Sequence, residues 1–309
     1  TRKVMSAVTD PNRIRKDDKG NPDVCMVSYY HKLFSTEEEC KAVCEECRAG
    51  KRGCVACKKQ LAKNTAEFFD YKLKLEDKVA EQTNVLRKAY RTLQIQAEHL
   101  KKKNQQIIEM LGTVVEYRST ESGEHIQRVK GYTRILAEAV MEDYPEYELT
   151  KEKIDIIESV SALHDIGKIA IPDRILLKPG RLTSEEFEYM KSHTIRGCEL
   201  LDSIKEDWND DTMKYAYEIC RHHHERYDGK GYPDGLVGDE IPICAQLVSV
   251  ADVYDALVNE RCYKDAFSKE DAYRMIITGE CGVFSPKLME SFRKVRPAFE
   301  KLANKSFRK

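Results

Sequence analysis

The sequence predicts an all-α protein, and three observations carry that prediction. Gly (15) and Pro (9) are scarce for 309 residues. Charged residues reach 34%, against about 25% in an ordinary soluble chain. No run of alternating apolar and polar residues is long enough for a strand. Together these exclude collagen-like, disordered and β-sandwich classes, and a length of 309 residues points to more than one unit. No apolar run approaches the roughly 18 residues of a spanning helix, and the opening TRKVMSAVTD has no signal-peptide pattern. A cytoplasmic chain with no membrane partner is therefore expected. It opens on Thr rather than Met, so upstream sequence is expected too.

Residues 1–68 read as short helices broken by turn signals at Asp10-Pro11, Lys19-Gly20-Asn21-Pro22 and Ala49-Gly50. Residues 1–64 carry 14 Lys/Arg against 9 Asp/Glu, whereas the whole chain is at -1, so the remainder is acidic. Six of the 11 cysteines (Cys25, Cys40, Cys44, Cys47, Cys54 and Cys57) crowd into this segment, and in a reducing compartment that favours metal over disulfide. Residues 69–110 hold no Gly or Pro, and Val79, Leu86, Leu93, Leu100 and Ile107 recur every seven residues. That is one seam position of a coiled coil. The companion seam (Leu75, Gln82, Ala89, Gln96, Lys103, Met110) is mixed, so the expectation is a weakly held homodimer, with a solvated amphipathic helix as the alternative. Residues 111–309 stay helical, with loops at Lys178-Pro179-Gly180 and from Asp228 to Pro242.

The third segment concentrates metal-binding side chains. Glu121 and His125 stand four apart in STESGEHIQRV, on one face of a helix. His164 and Asp165 are adjacent in SALHDIGKIAIPD, His193 follows in MKSHTIRG, His223 and His224 in RHHHERYDGKGYPDG, and Asp252 in SVADVYDAL. Imidazoles and carboxylates in this number suit two or three ions such as Fe, Mn, Zn or Ni without thiolate. A P-loop, a Gly-rich dinucleotide turn and a nucleophile elbow are all absent. Read singly, a His-Asp dipeptide is commonplace and Asp252 is a helix cap or surface charge.

HDIGK, HHERYDGKGYP and ADVYDAL in this order resemble the HD-GYP subgroup of HD-domain phosphohydrolases, over residues 109–296. The resemblance implies an all-α HD-domain bundle with Glu121, His125, His164, Asp165, His193, His223, His224 and Asp252 as metal ligands, Asp165 bridging, and Fe or Mn as the divalent metals. It implies Lys168 near the scissile phosphate, with Asp165 and Lys168 the catalytic pair. Arg261 and Lys264, in NERCYKDAF, match basic residues that contact the dinucleotide, although Cys262 stands where the family often has Pro. Tyr232, in the naming Gly231-Tyr232-Pro233 loop, contacts substrate or docks a GGDEF-type partner domain. His222 lies outside the motif. The implied substrate is cyclic di-GMP, opened to pGpG or on to GMP, in a signalling output domain; spacing alone reaches only a phosphate ester. Clustered cations suit that chemistry because they neutralise an anion that repels its own nucleophile. Competing readings are a non-catalytic cyclic-dinucleotide receptor and a redox di-iron centre.

Residues 1–66, from VMSAVTDPNRIRKDDKGNPDVCMVSYYHKLFS through CRAGKRGCVACKKQLAKNTAEFF, resemble instead the C-terminal helical region of bacterial tryptophanyl-tRNA synthetase. The KMSKS-type and HIGH-type motifs of that enzyme are absent, so no ligase activity is expected, though a tRNA-binding fragment is a competing reading. Cys25, Cys47, Cys54 and Cys57 fall at C-x21-C-x6-C-x2-C, one residue short of the pattern by which some such synthetases hold an iron-sulfur cluster. Zn or a 4Fe-4S cluster is the implied cofactor there, free thiols the alternative. Arg13, Arg15, Lys16, Arg48, Lys51, Arg52, Lys58 and Lys59 supply charge for tRNA phosphates or simply face solvent.

Overall fold

The computed structural model describes residues 2–119, 123–204, 208, 210–260 and 266–305. Glu121, Arg261 and Lys264 lie outside the described residues. The expected fold class holds: among the described residues there are thirteen α-helices with short 3-10 turns, and the one β pairing is an isolated bridge between Asp228 and Val237. The chain divides into two compact units, Thr1–Ala97 and Glu98–Lys309.

The first unit contains α1 (Arg2–Met5), α2 (Met26–Phe34), α3 (Glu37–Arg48) and the first part of α4 (Cys54–Arg118). Thr36 and Glu39 form a reciprocal capping box that starts α3. Asp10 accepts backbone hydrogen bonds from Asn12 (3.0 Å) and Asn21 (2.7 Å), which closes the turn signals of the sequence into one loop. Val27, Val43 and Leu61 are buried in this unit, as is the ring of His31.

Helix α4 runs unbroken for 65 residues, so the segment boundaries read at 68/69 and 110/111 both fall inside it. Val79, Leu86, Leu93, Leu100 and Ile107 are each at least 50% exposed. One residue past the last of them the helix changes role: Ile108 and Val115 are buried in the core of the second unit.

That unit continues with α5 (Gly123–Asp143), α6 (Lys151–Val160), α7 (Asp173–Leu176), α8 (Ser184–Lys191), α9 (His193–Asp202), α10 (Asp210–His222), α11 (Ile243–Val258), α12 (Lys269–Ile277) and α13 (Pro286–Ala303). Helix α5 buries Ile126, Val129, Tyr132, Leu136 and Val140, the three-and-four spacing of one apolar face. Helix α11 is buried nearly all round, as its sequence ICAQLVSVADVYDALV requires. Where α5, α11 and α13 meet, Tyr132 stacks on Phe299 with centroids 4.7 Å apart, and Tyr254 and Phe292 pack edge-on to the same ring. Arg134 joins α5 to α6 through Asp155 (2.5 Å) and Glu158 (2.6 Å). This packing fixes α5 and α11, which carry part of the site.

Candidate metal centre

The motif residues converge although they come from five places in the chain. His125 stands in the first turn of α5, His164 and Asp165 between two 3-10 turns that follow α6, His193 at the start of α9, His223 and His224 just past α10, and Asp252 on α11. Asp165 is at the middle. Its Oδ1 lies 3.1 Å from His193 Nε2 and 3.8 Å from His223 Nε2, while its Oδ2 lies 3.3 Å from His164 Nε2 and 2.5 Å from Lys168 Nζ. The two oxygens thus address two different sets of imidazoles. On one side the ligand atoms of Asp165, His193, His223 and His224 fall within 4.8 Å of one another; on the other, those of Glu116, His125 and His164 do the same. Asp252 Oδ1 joins the second side, 3.7 Å from His125 Nε2 and 4.0 Å from His164 Nε2.

The donor set fits divalent ions, and the hydrogen bonds say why. Nδ1 of His164 faces the Ser161 carbonyl (2.9 Å), Nδ1 of His193 the Met190 carbonyl (2.8 Å), and Nδ1 of His223 the Ile219 carbonyl (3.0 Å). Each ring therefore donates from Nδ1 and presents a lone pair at Nε2. These three Nε2 atoms are buried and make no hydrogen bond, and Asp165 Oδ1 is in the same condition. Buried polar atoms left so are costly, and cations on the two sides of Asp165 would satisfy all four.

Charge points the same way. Burial drives His223 and His224 below the ordinary histidine range, the latter far below with His223 and His193 adding to it, which keeps both rings neutral and ready to donate. Burial alone would also lower His164, but Asp165, Asp252 and Glu116 outweigh it and raise that ring. Burial would raise the Asp165 carboxyl, yet Lys168, His164 and His193 hold it well below the usual carboxylate range. The field that would keep a proton on His164 is the field a metal cation would meet in its place.

Surrounding groups hold this geometry. A Cβ on Gly167 would come within 1.8 Å of the His193 carbonyl, so only glycine lets the HDIGK turn lie against α9. Arg118 donates to the carbonyls of Lys168 (3.0 Å), Ile169 (2.7 Å) and Ile171 (2.7 Å) and pairs with Asp173, which locks the turn that carries Lys168. The buried Glu225 accepts from the backbone N–H groups of Asp234 (2.7 Å), Gly235 (3.0 Å) and Leu236 (3.1 Å) and so shapes the Gly231-Tyr232-Pro233 loop. A Cβ on Gly231 would strike the Glu225 backbone. Tyr232 lies with its ring 4.7 Å from that of His224, at the edge of the imidazole cluster. His222 faces Asp234 instead (3.4 Å), outside the cluster as the motif implied.

Three participants were missed in the sequence: Glu116, Arg118 and Asp255. The signal for Asp255 was available, since it stands three residues past Asp252 on one helix face. Its Oδ2 lies 2.8 Å from His125 Nδ1, and Arg128 (2.5 Å) and Asn259 (3.0 Å) hold its other oxygen, a carboxylate–histidine–metal arrangement. Asp255→Asn should lower metal affinity by about 10- to 100-fold with little change in helicity, measured by titration of the metal-stripped protein with Mn(II). Unchanged affinity would reduce the contact to packing.

The cysteines of the first unit are a separate group. Among the described residues no three of the Cys25, Cys47, Cys54 and Cys57 sulfurs fall within 4.8 Å of one another, while Cys25, Cys47 and Cys54 are near enough to Cys57 to act on its thiol. Cys57 is turned toward the buried His31, with Sγ 3.4 Å from Nε2. Burial pushes its thiol up to about 11, with Arg52 opposing and the neighbouring Cys25, Cys47 and Cys54 adding to the rise. A thiol so placed stays protonated at neutral pH.

Residues 89–281 match the family model for the HD domain. A cyclic di-GMP phosphodiesterase of Vibrio cholerae serotype O1 is 40% identical over 196 residues, which are 62% of this chain and 40% of that protein. A cyclic di-GMP phosphodiesterase of Thermotoga maritima is 42% identical over 190 residues, covering 62% of this chain and 49% of the relative. A 3'3'-cGAMP-specific phosphodiesterase 2 of Vibrio cholerae is 40% identical over 191 residues, covering 62% and 34%. The chain thus spans less than half the length of each of these relatives.

Proposed function

Since the chain belongs to the HD domain family, we propose that its second unit is a metal-dependent phosphodiesterase of the HD-GYP type that hydrolyses cyclic di-GMP to pGpG or GMP. The observation that carries this reading is Asp165, a buried carboxylate whose two oxygens face two separate sets of imidazole donors. His193, His223 and His224 would hold one divalent ion and His125, His164 and Asp252 another, with Asp165 between them and Glu121 adding a third site; Fe and Mn suit these donors. Bound there, such ions supply Lewis acidity for water attack on phosphorus.

The chain's own residues do the rest. Asp255 and the backbone carbonyls of Ser161, Met190 and Ile219 keep the rings in one tautomer and orientation. Lys168 places a fixed positive charge beside Asp165, where negative charge builds on the phosphoryl oxygens. Tyr232 offers an aromatic face at the rim, and Arg261 and Lys264 would grip the distal phosphate or guanine of the dinucleotide. The relatives named for 3'3'-cGAMP keep a second cyclic dinucleotide in view. The decisive experiment combines elemental analysis of the purified protein with product detection from both dinucleotides. Metal with no product from either would leave the receptor reading in its place.

Two partner readings belong with this proposal. The exposed heptad side chains of α4 would pair with a second copy to bury apolar surface, and charge at both Leu86 and Leu93 should therefore convert a dimer to a monomer in sedimentation or light scattering. A dimer of unchanged mass would make the heptads a surface pattern. The Gly231-Tyr232-Pro233 loop is the surface on which a GGDEF-type domain would dock. For the first unit, tRNA binding and a 4Fe-4S cluster rest on the sequence resemblance alone.

A further inference from the structure

One buried carboxylate at the centre has no assigned part in it. Glu116 stands in the last turn of α4 and is only 1% exposed. Burying a glutamate in the core of a helical unit costs several kcal/mol unless positive charge compensates it. Among its neighbours are two imidazoles: a Glu116 oxygen and a ring nitrogen each of His125 and His164 all lie within 4.8 Å of one another. Both rings are aimed. His125 commits Nδ1 to Asp255, and His164 commits Nδ1 to the Ser161 carbonyl, so Nε2 is the donor each has to offer. His164 Nε2 is fully buried and makes no hydrogen bond. Asp252 approaches the same two Nε2 atoms, at 3.7 and 4.0 Å. Two imidazoles and the Glu116 carboxylate therefore enclose one small volume, with Asp252 beside the same imidazoles, nitrogen and oxygen donors that suit a divalent ion of borderline hardness. The Ser119 hydroxyl lies 3.4 Å from Glu116 Oε2 and orients the carboxylate from behind.

We infer that Glu116 is itself a metal ligand, completing with His125, His164 and Asp252 the site on that side of Asp165. The inference rests on the metal-centre reading above and extends it to a residue outside the motif. In the chain, Glu116 belongs to the long helix that enters from the first unit, so the ion would tie the end of α4 to α5, α11 and the HDIGK turn.

The test compares the wild-type chain with Glu116→Gln, which keeps the side-chain size and the Ser119 contact. Metal-stripped protein is titrated with Mn(II), bound ions per chain are counted by elemental analysis, and helicity is followed by circular dichroism. Loss of an outer partner of a metal ligand costs about 10- to 100-fold in affinity, so loss of a ligand should cost at least about 100-fold at one site and lower the count by one at limiting metal. The sites around His193, His223 and His224 should fill as before. An unchanged count and affinity in folded Glu116→Gln would overturn the inference while leaving the metal centre standing. Should Glu116→Gln fail to fold, Glu116→Asp decides: weaker binding at one site supports the assignment, wild-type binding overturns it. A wild-type chain that takes up no Mn(II) would sink the metal-centre reading and this inference together.

Discussion

Asp165→Ala should leave a folded helical protein that has lost at least one metal ion per chain and nearly all hydrolysis of cyclic di-GMP. The side chain touches both imidazole sets and Lys168, so its removal unlinks the two halves of the centre rather than trimming one. A Lewis-acid ion is worth several kcal/mol of transition-state stabilisation, which corresponds to about 10³-fold or more in rate. The fold should survive because the aromatic packing of Tyr132, Tyr254, Phe292 and Phe299 involves none of the ligands. Asp165→Asn, which keeps the volume, should behave alike. Metal content per chain equal to wild type in both variants would show that the centre is assigned to the wrong residues.

Lys168→Met should separate chemistry from metal binding. If the ammonium acts on the phosphoryl group, kcat should fall by about 10²- to 10³-fold, the loss seen when one preorganised donor to a developing oxyanion is removed, and metal content should stay at the wild-type level. The fall should be equal on cyclic di-GMP and on bis(p-nitrophenyl) phosphate, since both pass through the same phosphoryl centre. Arg261→Ala provides the contrast: it should weaken cyclic di-GMP turnover by about 1 to 3 kcal/mol, the range for a charge-assisted hydrogen bond, and spare the small ester. If Lys168→Met loses metal instead, the 2.5 Å contact to Asp165 is its whole function. Equal loss of both substrates in Arg261→Ala would remove the argument for a dinucleotide clamp.

The motif residues were legible in the sequence because the proposed metal ligation demands particular side chains, and His, Asp and Glu cannot be exchanged there for residues of similar size. Of the residues around them, Arg118 and Glu116 were not. Arg118 acts through its terminal guanidinium nitrogens on backbone carbonyls about fifty positions away, and no local spacing announces such a contact. Glu116 sits in the stretch VVEYRS, where a glutamate on an amphipathic helix ordinarily faces solvent. For the N-terminal cysteines, spacing gave no sign that Cys57 would lie against the buried His31.

From the sequence alone followed the all-α class, a long helix through the Gly- and Pro-free stretch 69–110, and the identity of most residues that meet at the centre, because helix propensity, apolar periodicity and ligand chemistry are written residue by residue. Tertiary structure decided which carboxylates are buried, which ring nitrogen each histidine presents, and where α4 first turns a side chain into the core of the second unit, at Ile108. Those features depend on contacts between residues as far apart as His125 and Asp255, and burial and hydrogen-bond partners do not exist until the chain has closed on itself.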